Sequence, residues 1–309
     1  MRGVSYIIVF LIYCCVLKSQ KPVNINSTEE VKNVLSFLHN IEGVGVLSGQ
    51  ENLATDVTYW TDLIADKTGK YPALLGEDFS YGDLAYQKRQ NIVDAAIDYW
   101  NKGGLVTISW HQVNPDTWDG SVNEGPFSDS PQPMTQQRFD ELLDPNTDIH
   151  QKYIRHIDTI ARYLKILEEN GVPVLWRPYH EMNGGWFWWG GKSNFPNLWN
   201  LMYDRFTNHH QLNNLIWVWT PNITRNREDR LMSKYYPGND KIDILGMDGY
   251  NDSDNWDMIT SDGEDLDEIS AMKPNNPIAF TELGKLPDPD WLRSSRKNIA
   301  WFLCWWTHI

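Results

Sequence analysis

The chain has 309 residues, of which 41 are acidic and 27 are basic, and its formal net charge at pH 7 is −14. Such an acidic chain would repel nucleic acids and anionic membrane surfaces, so neither is expected as a partner. A neutral partner is expected instead. The 16 tryptophans exceed what packing requires, and indole rings stack on the apolar faces of sugar rings. The composition therefore favours a carbohydrate ligand.

Residues 1–19 are predicted to be a secretory signal peptide. Arg2 supplies a positive start, Tyr6–Leu17 is an apolar run of suitable length, and Ser19 offers a small residue for cleavage. The run is too short to span a bilayer comfortably. We therefore expect residues 20–309 to form a secreted, extracellular protein.

The cysteines bear on both anchoring and stability. Cys14 and Cys15 raise the alternative of a lipid anchor, but neither follows the small residue that a lipoprotein signal requires. Cleavage would leave Cys304 alone, so no intramolecular disulfide would form and stability would have to come from a core. Three sequons permit N-glycosylation in a eukaryotic secretory route only, at Asn26, Asn222 and Asn251.

Residues 20–309 are predicted to form one α/β domain. Helical patterns such as Gln90–Lys102 and Lys152–Asn170 alternate with eight short apolar segments. These predicted strands are Val44–Glu51, Tyr71–Tyr81, Gly104–Gln112, Val172–Asn183, Leu215–Asn222, Asp243–Tyr250, Pro277–Gly284 and Asn298–Trp306. Eight strand–helix units in a chain of this length predict a (β/α)8 TIM barrel.

Polar or aromatic residues end nearly every predicted strand. In barrels of this kind the carboxyl ends of the strands carry the active site, so these side chains are expected to meet at one rim. The segment Asn114–Asp148 is rich in Pro, Asp and Gly and is expected to wall a cleft there.

The eighth predicted strand leads directly to Ile309, so the helix that should cover it is missing from the sequence. Either the barrel is open at the seam between its first and last strands, or the chain is a fragment truncated at its carboxyl terminus. We favour the fragment.

Glu181 and Glu282 are the candidate catalytic residues, because they lie at the ends of the fourth and seventh predicted strands. Three strands of separation would place the two side chains across the barrel mouth from each other. Retaining glycosidases use two carboxyls about 5 Å apart, one as nucleophile and one as proton donor. Their environments must differ, so that one stays ionised while the other holds its proton.

At these residues the chain resembles glycoside hydrolase family 26, whose best-known members are endo-β-1,4-mannanases. The segment from Trp176 to Gly190, reading WRPYHEMNGGWFWWG, is similar to the signature of that family. Further matching segments, in the family's order, begin at Leu47 (LSGQ), Ser109 (SWHQVNP), Trp217 (WVWTPN), Tyr236 (YPG), Asp248 (DGY) and Phe280 (FTE).

The resemblance implies a role for each candidate site residue. Glu181 would be the general acid/base and Glu282 the nucleophile, with no cofactor or metal ion. His180 would orient the nucleophile or bind the sugar, and Trp186 would stack on a sugar ring. The other implied substrate-binding residues are Arg177 (lowering the pKa of a neighbouring carboxylate), Asp248 (holding substrate hydroxyls), Tyr250 (touching the nucleophile), and His111 and Trp305 (lining the subsite before the cut bond).

The expected activity is that of a secreted, monomeric, retaining endo-β-1,4-mannanase acting on β-mannan polysaccharides. Three alternatives remain open: a β-1,3-xylanase, a mixed-linkage β-glucanase, and a non-catalytic mannan-binding protein on the same barrel. A metal site at His111, His180 and Glu181 is disfavoured, because the chain has no HExxH motif and no second histidine cluster. Trp188, Trp189, Trp217 and Trp301 are as consistent with core packing as with sugar binding.

Overall fold

The structure, a computed structural model, describes residues 21–81, 85–118, 133–224, 228–250, 264–274, 276–295 and 299–305. The predicted signal peptide, with Cys14 and Cys15, lies outside these residues, as do Asn251 and Trp306. No helix within the described residues is long and apolar enough to cross a membrane.

Eight parallel strands form a closed barrel in sequence order, which confirms the predicted (β/α)8 fold. The strands are β1 (Leu47–Glu51), β2 (Leu74–Asp78), β3 (Leu105–Trp110), β4 (Val174–Pro178), β5 (Leu215–Trp219), β6 (Ile244–Gly249), β7 (Ile278–Leu283) and β8 (Ile299–Cys304). The barrel is not open at its seam, because β1 pairs with β8 from Leu47↔Trp301 to Gln50↔Cys304.

The strands are shorter than predicted, and β2 ends at Asp78, three residues before its predicted end. The Asp78 carboxylate accepts hydrogen bonds from the backbone N–H groups of Ser80 and Tyr81, at 2.8 and 2.7 Å, and so ends β2. Such a side chain offers the backbone an alternative to the strand ladder.

Helices surround the strands. They are α1 (Glu29–Asn40), α2 (Tyr59–Thr68), α3 (Arg89–Asn101), α4 (Gln136–Leu143), α5 (Asp148–Glu169), α6 (Phe195–Asp204), α7 (Glu264–Met272) and α8 (Pro289–Ser295). The two predicted helices correspond to α3 and α5. Helix α5 starts four residues before its predicted start, where the Thr147 side chain accepts a hydrogen bond from the N–H of His150 and caps the helix.

The other six helices, α1 and α4 among them, were not predicted by residue range. Helix α1 buries Val31, Leu35 and Leu38 in one cluster with residues of the barrel strands, including Ile216 and Trp301. At about 1.5–3 kcal/mol for each buried aliphatic side chain, this contact stabilises the fold by several kcal/mol. Helix α4 lies in the segment predicted to wall the cleft; residues 119–132 of that segment lie outside the described part of the chain.

An apolar groove of about 540 Å³ runs along the outside of β8, between it and the segment before β1. Phe302, Leu286, Leu292, Val44 and Val46 line it. No helix follows β8 within the described residues, which end at Trp305. That the chain is a fragment stays a prediction.

Candidate active site

The two candidate catalytic glutamates meet at the carboxyl-end rim of the barrel. Glu282 lies within β7, as predicted, whereas Glu181 follows β4 by three residues. The predicted strand through Asn183 is therefore wrong beyond Pro178. Tyr179 and Glu181 have positive φ angles of 52° and 55°, which no strand residue adopts.

The turn after β4 is held by contacts on each of its residues. The Tyr179 hydroxyl lies 2.5 Å from that of Tyr153, and the Glu181 backbone N–H donates to the carbonyl of Thr220 at 2.7 Å. The indole of Trp189 donates to the carbonyl of His180 at 2.9 Å. Left-handed backbone in a residue other than glycine costs about 1–3 kcal/mol, so the surrounding structure must fix this turn to present Glu181.

Two donors hold the carboxyl group of Glu181. The Asn222 side-chain amide lies 2.5 Å from Oε1, and the Trp186 indole N–H lies 2.5 Å from Oε2. Burial and the negative charge of Glu282 raise the pKa of Glu181 to about 7, against the lowering effect of these two hydrogen bonds. Glu181 can therefore hold a proton near neutral pH.

Glu282 has different partners. The guanidinium of Arg177 donates to Oε2 at 2.6 Å, and the hydroxyl of Tyr250 donates to Oε1 at 2.5 Å. A cationic donor stabilises a carboxylate in its ionised form. The two glutamates thus face each other from contrasting environments, as a nucleophile and a proton donor require.

Arg177 links the nucleophile candidate to a second carboxylate. Its other terminal nitrogen donates to Oδ2 of Asp248 at 2.9 Å, while Thr281 donates to Oδ1 at 2.8 Å. Asp248 is fully buried. It could bind substrate hydroxyls, as predicted, only if the site opened. Burial raises the pKa of Asp248 well above its ordinary value, and the charge of Arg177 opposes that shift.

One oxygen from each of Glu181, Asp248 and Glu282 lies within 4.8 Å of the others. These three oxygens are close enough together that, among the described residues, they form the candidate ligand set for a metal ion. Arg177 already supplies a positive charge to two of the three, so the donor set does not call for a cation.

The two histidines lie side by side. His111 Nδ1 is 2.8 Å from Asp78 Oδ2, and the Nε2 atoms of His111 and His180 are 3.1 Å apart. His180 is fully buried, and its ring is hydrogen-bonded to His111 and packs against Phe187 and Trp189. The ring of Trp305 lies 5.7 Å from that of His111, so these two predicted subsite residues share one wall.

The tryptophans considered for sugar binding differ in their burial. Trp186 is half-buried: its ring lies against Gly184, where a Cβ atom would come within 2.4 Å, and the guanidinium of Arg230 is 5.1 Å from its centroid. The four tryptophans whose role was left open are all in the core, namely Trp188, Trp189, Trp217 and Trp301.

Sequence reasoning missed three polar residues of this site. Asn222 was noted only as a sequon, but its buried side chain is a partner of Glu181. Asp78 is one of the polar residues near the end of the predicted strand Tyr71–Tyr81 and was given no role of its own. Glu51 faces the site above Gly76, where a Cβ atom would lie 2.3 Å from Oε2 of Glu51. Burial raises the pKa of Glu51 well above its ordinary value, which favours its protonated form. The signal for all three was a polar side chain at a strand end.

Replacing Asn222 by alanine is expected to raise the pKa of Glu181 further, because a hydrogen bond to its ionised form is lost. Such a bond is worth about 1.5–3 kcal/mol, or roughly one to two pH units. Since a general acid must be protonated, the alkaline limb of the kcat/KM profile should move upward by about that amount. Trp186→Phe, which removes the donor on the other oxygen, should move it the same way. An unchanged limb in both variants would contradict this account.

A closed (β/α)8 barrel with a carboxylate pair at its carboxyl-end rim is the architecture of one large class of glycoside-cleaving enzymes. The chain belongs to glycosyl hydrolase family 26, whose family model matches residues 23–308.

Several characterised proteins are similar to the chain. A mannan endo-1,4-beta-mannosidase of Thermothelomyces thermophilus is 34% identical over 91% of the chain, which spans 56% of that protein. One of Bacillus subtilis strain 168 is 32% identical over 91% of the chain and 80% of that protein. The solved structure of GH26A from Muricauda sp. superposes with a TM-score of 0.79 at 36% identity, covering 91% of the chain and 90% of that chain. The chain thus spans little more than half the length of the first of these relatives.

Proposed function

We propose that the protein is an endo-acting β-1,4-mannanase that cleaves internal bonds of mannan, galactomannan or glucomannan by double displacement with retained configuration. The observation that carries the proposal is the pairing of Glu181 with Glu282. Their oxygens lie within 4.8 Å, which fits the separation of about 5–5.5 Å in retaining glycosidases rather than the 6.5–9.5 Å of inverting ones.

The first displacement forms a bond between Glu282 and the anomeric carbon. Glu282, held by Arg177 and Tyr250, attacks as a carboxylate while Glu181 gives its proton to the departing glycosidic oxygen. In the second displacement Glu181, now ionised, takes a proton from water. The hydroxyl so formed attacks the anomeric carbon, and the carboxylate of Glu282 leaves.

The choice of mannan rests on the named activity of the two curated relatives. The half-buried ring of Trp186 and the wall of His111 and Trp305 border the catalytic pair and would form the sugar subsites on either side of it. The proposal includes secretion through residues 1–19 and action as a monomer without a cofactor.

The proposal is tested by incubating the purified chain with galactomannan, glucomannan, lichenan and β-1,3-xylan. Reducing ends should appear with the two mannans, with a rapid fall in viscosity that marks internal cleavage. Proton NMR of the first products should show the β anomer before mutarotation. Glu282→Gln serves as the inactive control, with circular dichroism to show that it is folded.

Other outcomes would replace the proposal with a named alternative. Cleavage of lichenan alone would make the protein a mixed-linkage β-glucanase, and cleavage of β-1,3-xylan alone a β-1,3-xylanase. Binding to mannan by a folded wild-type chain that releases no sugar would indicate a binding protein. An α anomer as first product would refute double displacement.

A further inference from the structure

Asp78, at the end of β2, is more heavily hydrogen-bonded than a turn requires. Its Oδ1 accepts from the backbone N–H groups of Ser80 and Tyr81, as described above. Its Oδ2 lies 2.7 Å from the hydroxyl of Ser109, 3.1 Å from the backbone nitrogen of His111 and 2.8 Å from Nδ1 of the same histidine. The side chain is 3% exposed.

These donors keep Asp78 ionised. Burial alone would raise its pKa, but the interaction with His111 and the hydrogen bonds from Ser109 and Ser80 outweigh burial and hold the pKa well below its ordinary value. An ionised carboxylate only accepts hydrogen bonds. Nδ1 of His111 must therefore carry a proton and donate it to Asp78.

The hydrogen bond between the two rings also constrains the protonation of His180. The two Nε2 atoms are 3.1 Å apart, so one proton lies between them. Burial, and to a smaller extent the positive charge of Arg177, lower the pKa of His180 well below its ordinary value, so its ring holds a single proton. Nδ1 of His180 is buried without a hydrogen-bond partner among the described residues.

The unpartnered nitrogen decides where the shared proton belongs. If His111 donated it, His180 would carry its own proton on Nδ1, and a buried N–H donor would be left unpaired. If His180 donates from Nε2, Nδ1 is left with only a lone pair. Unpaired buried donors are the rarer case in proteins, so the second arrangement is favoured.

We propose that Asp78 is a positioning residue which, through His111, fixes the tautomer and ring orientation of His180 and thereby the turn that presents Glu181. His180 stands between the two positive-φ residues Tyr179 and Glu181. Its ring is hydrogen-bonded to His111 and packs against the rings of Phe187 and Trp189 at 5.0 and 5.9 Å, while the Trp189 indole donates to its carbonyl. The chain Asp78–His111–His180 thus supplies the hydrogen-bonded anchor of the side chain at the centre of this turn. Its effect on activity rests on the proposed role of Glu181.

Asp78→Asn is the informative variant. Asparagine can keep its carbonyl oxygen on the N–H groups of Ser80 and Tyr81, which places its NH2 group toward Nδ1 of His111. His111 must then accept at Nδ1 and carry its proton on Nε2. His180 must accept that proton and hold its own on Nδ1. The exchange of one oxygen for nitrogen thus inverts the proton arrangement in both rings without removing any packing.

The tautomers can be read from the nitrogen chemical shifts of protein labelled with ¹⁵N-histidine, assigned with His111→Asn and His180→Asn. In the wild type we expect a protonated Nδ1 on His111 and a protonated Nε2 on His180. In Asp78→Asn both should reverse. This measurement needs no substrate, so it stands whether or not the protein cleaves mannan. The opposite tautomer on His180 in the wild type would overturn the proposal.

Kinetics supply the second readout. Asp78→Asn should lower kcat on the order of 10²-fold with little change in KM, because a small displacement of Glu181 affects the reaction more than binding. Ser109→Ala is the matched control: it removes one hydrogen bond from the same Oδ2 but leaves the carboxylate, and should keep the wild-type tautomers and nearly the wild-type kcat. Equal losses in the two variants, or a loss in Asp78→Asn without tautomer reversal, would show a merely structural role.

Discussion

Replacing Glu282 by glutamine is expected to lower kcat/KM for mannan by roughly 10⁴-fold or more, the scale seen when a covalent nucleophile is removed. The amide has nearly the shape of the carboxyl group but cannot form the bond to the anomeric carbon. Its oxygen can still accept one of the hydrogen bonds from Arg177 and Tyr250, so the fold should survive. Initial rates of reducing-sugar release, measured at enzyme concentrations high enough to detect residual activity, check the loss.

The control for this variant is the same chemical change away from the site. Glu141→Gln, on α4, removes a carboxylate that pairs with Arg138 and should leave the rate unchanged. Binding of mannan by Glu282→Gln should also persist, since the substrate is held by other side chains. A Glu282→Gln variant within tenfold of the wild-type rate would exclude Glu282 as nucleophile.

Glu181→Ala is expected to lower kcat on mannan by about 10²–10⁴-fold, the usual contribution of general acid–base catalysis. The loss should depend on the leaving group. An aryl mannoside with a dinitrophenolate leaving group needs no proton, so its first step should stay fast and the glycosyl enzyme should accumulate on Glu282. A burst of dinitrophenol followed by slow turnover is the measurement.

Azide provides the stereochemical check on the same variant. It needs no general base and fits the space left by the missing carboxyl group, so it should restore turnover and give the β-mannosyl azide. The matched control is Glu282→Gln, which should not form the β-mannosyl azide when azide is added. An α azide from Glu181→Ala, or equal losses on mannan and on the dinitrophenyl substrate, would refute the assigned role of Glu181.

Local patterns in the sequence were sufficient to predict the barrel fold. Apolar segments of strand length and amphipathic stretches such as that of α5 are properties of neighbouring residues, and the periodicity of the side chains determines which of them can be buried. The position of Glu282 at the end of such a segment followed directly. Helix α4 did not, because it lies in a segment whose Pro and Gly content favours a loop.

The backbone at Glu181 required the tertiary structure. The run of apolar and aromatic residues through Val172–Asn183 is consistent with a strand, but the chain leaves the sheet after Pro178 and passes through two left-handed residues. Nothing local favours φ near 55° at a tyrosine or a glutamate. That conformation is held by Tyr153, Thr220 and Trp189, each on a different element or loop.

The sequence by itself determined that this is an eight-stranded barrel with two glutamates at its rim, since strand length, burial pattern and order along the chain are local. Only the tertiary structure decided what each glutamate touches. Arg177 and Glu282 are 105 residues apart, and Asn222 and Glu181 are 41 apart. Such contacts depend on the closure and register of the whole barrel, which brings distant strand ends together. For that reason the carboxylate pair could be recognised in the sequence, and Arg177 and Tyr250 could be placed near it by the family resemblance, while the donation of a hydrogen bond to Glu181 by Asn222 could not be predicted.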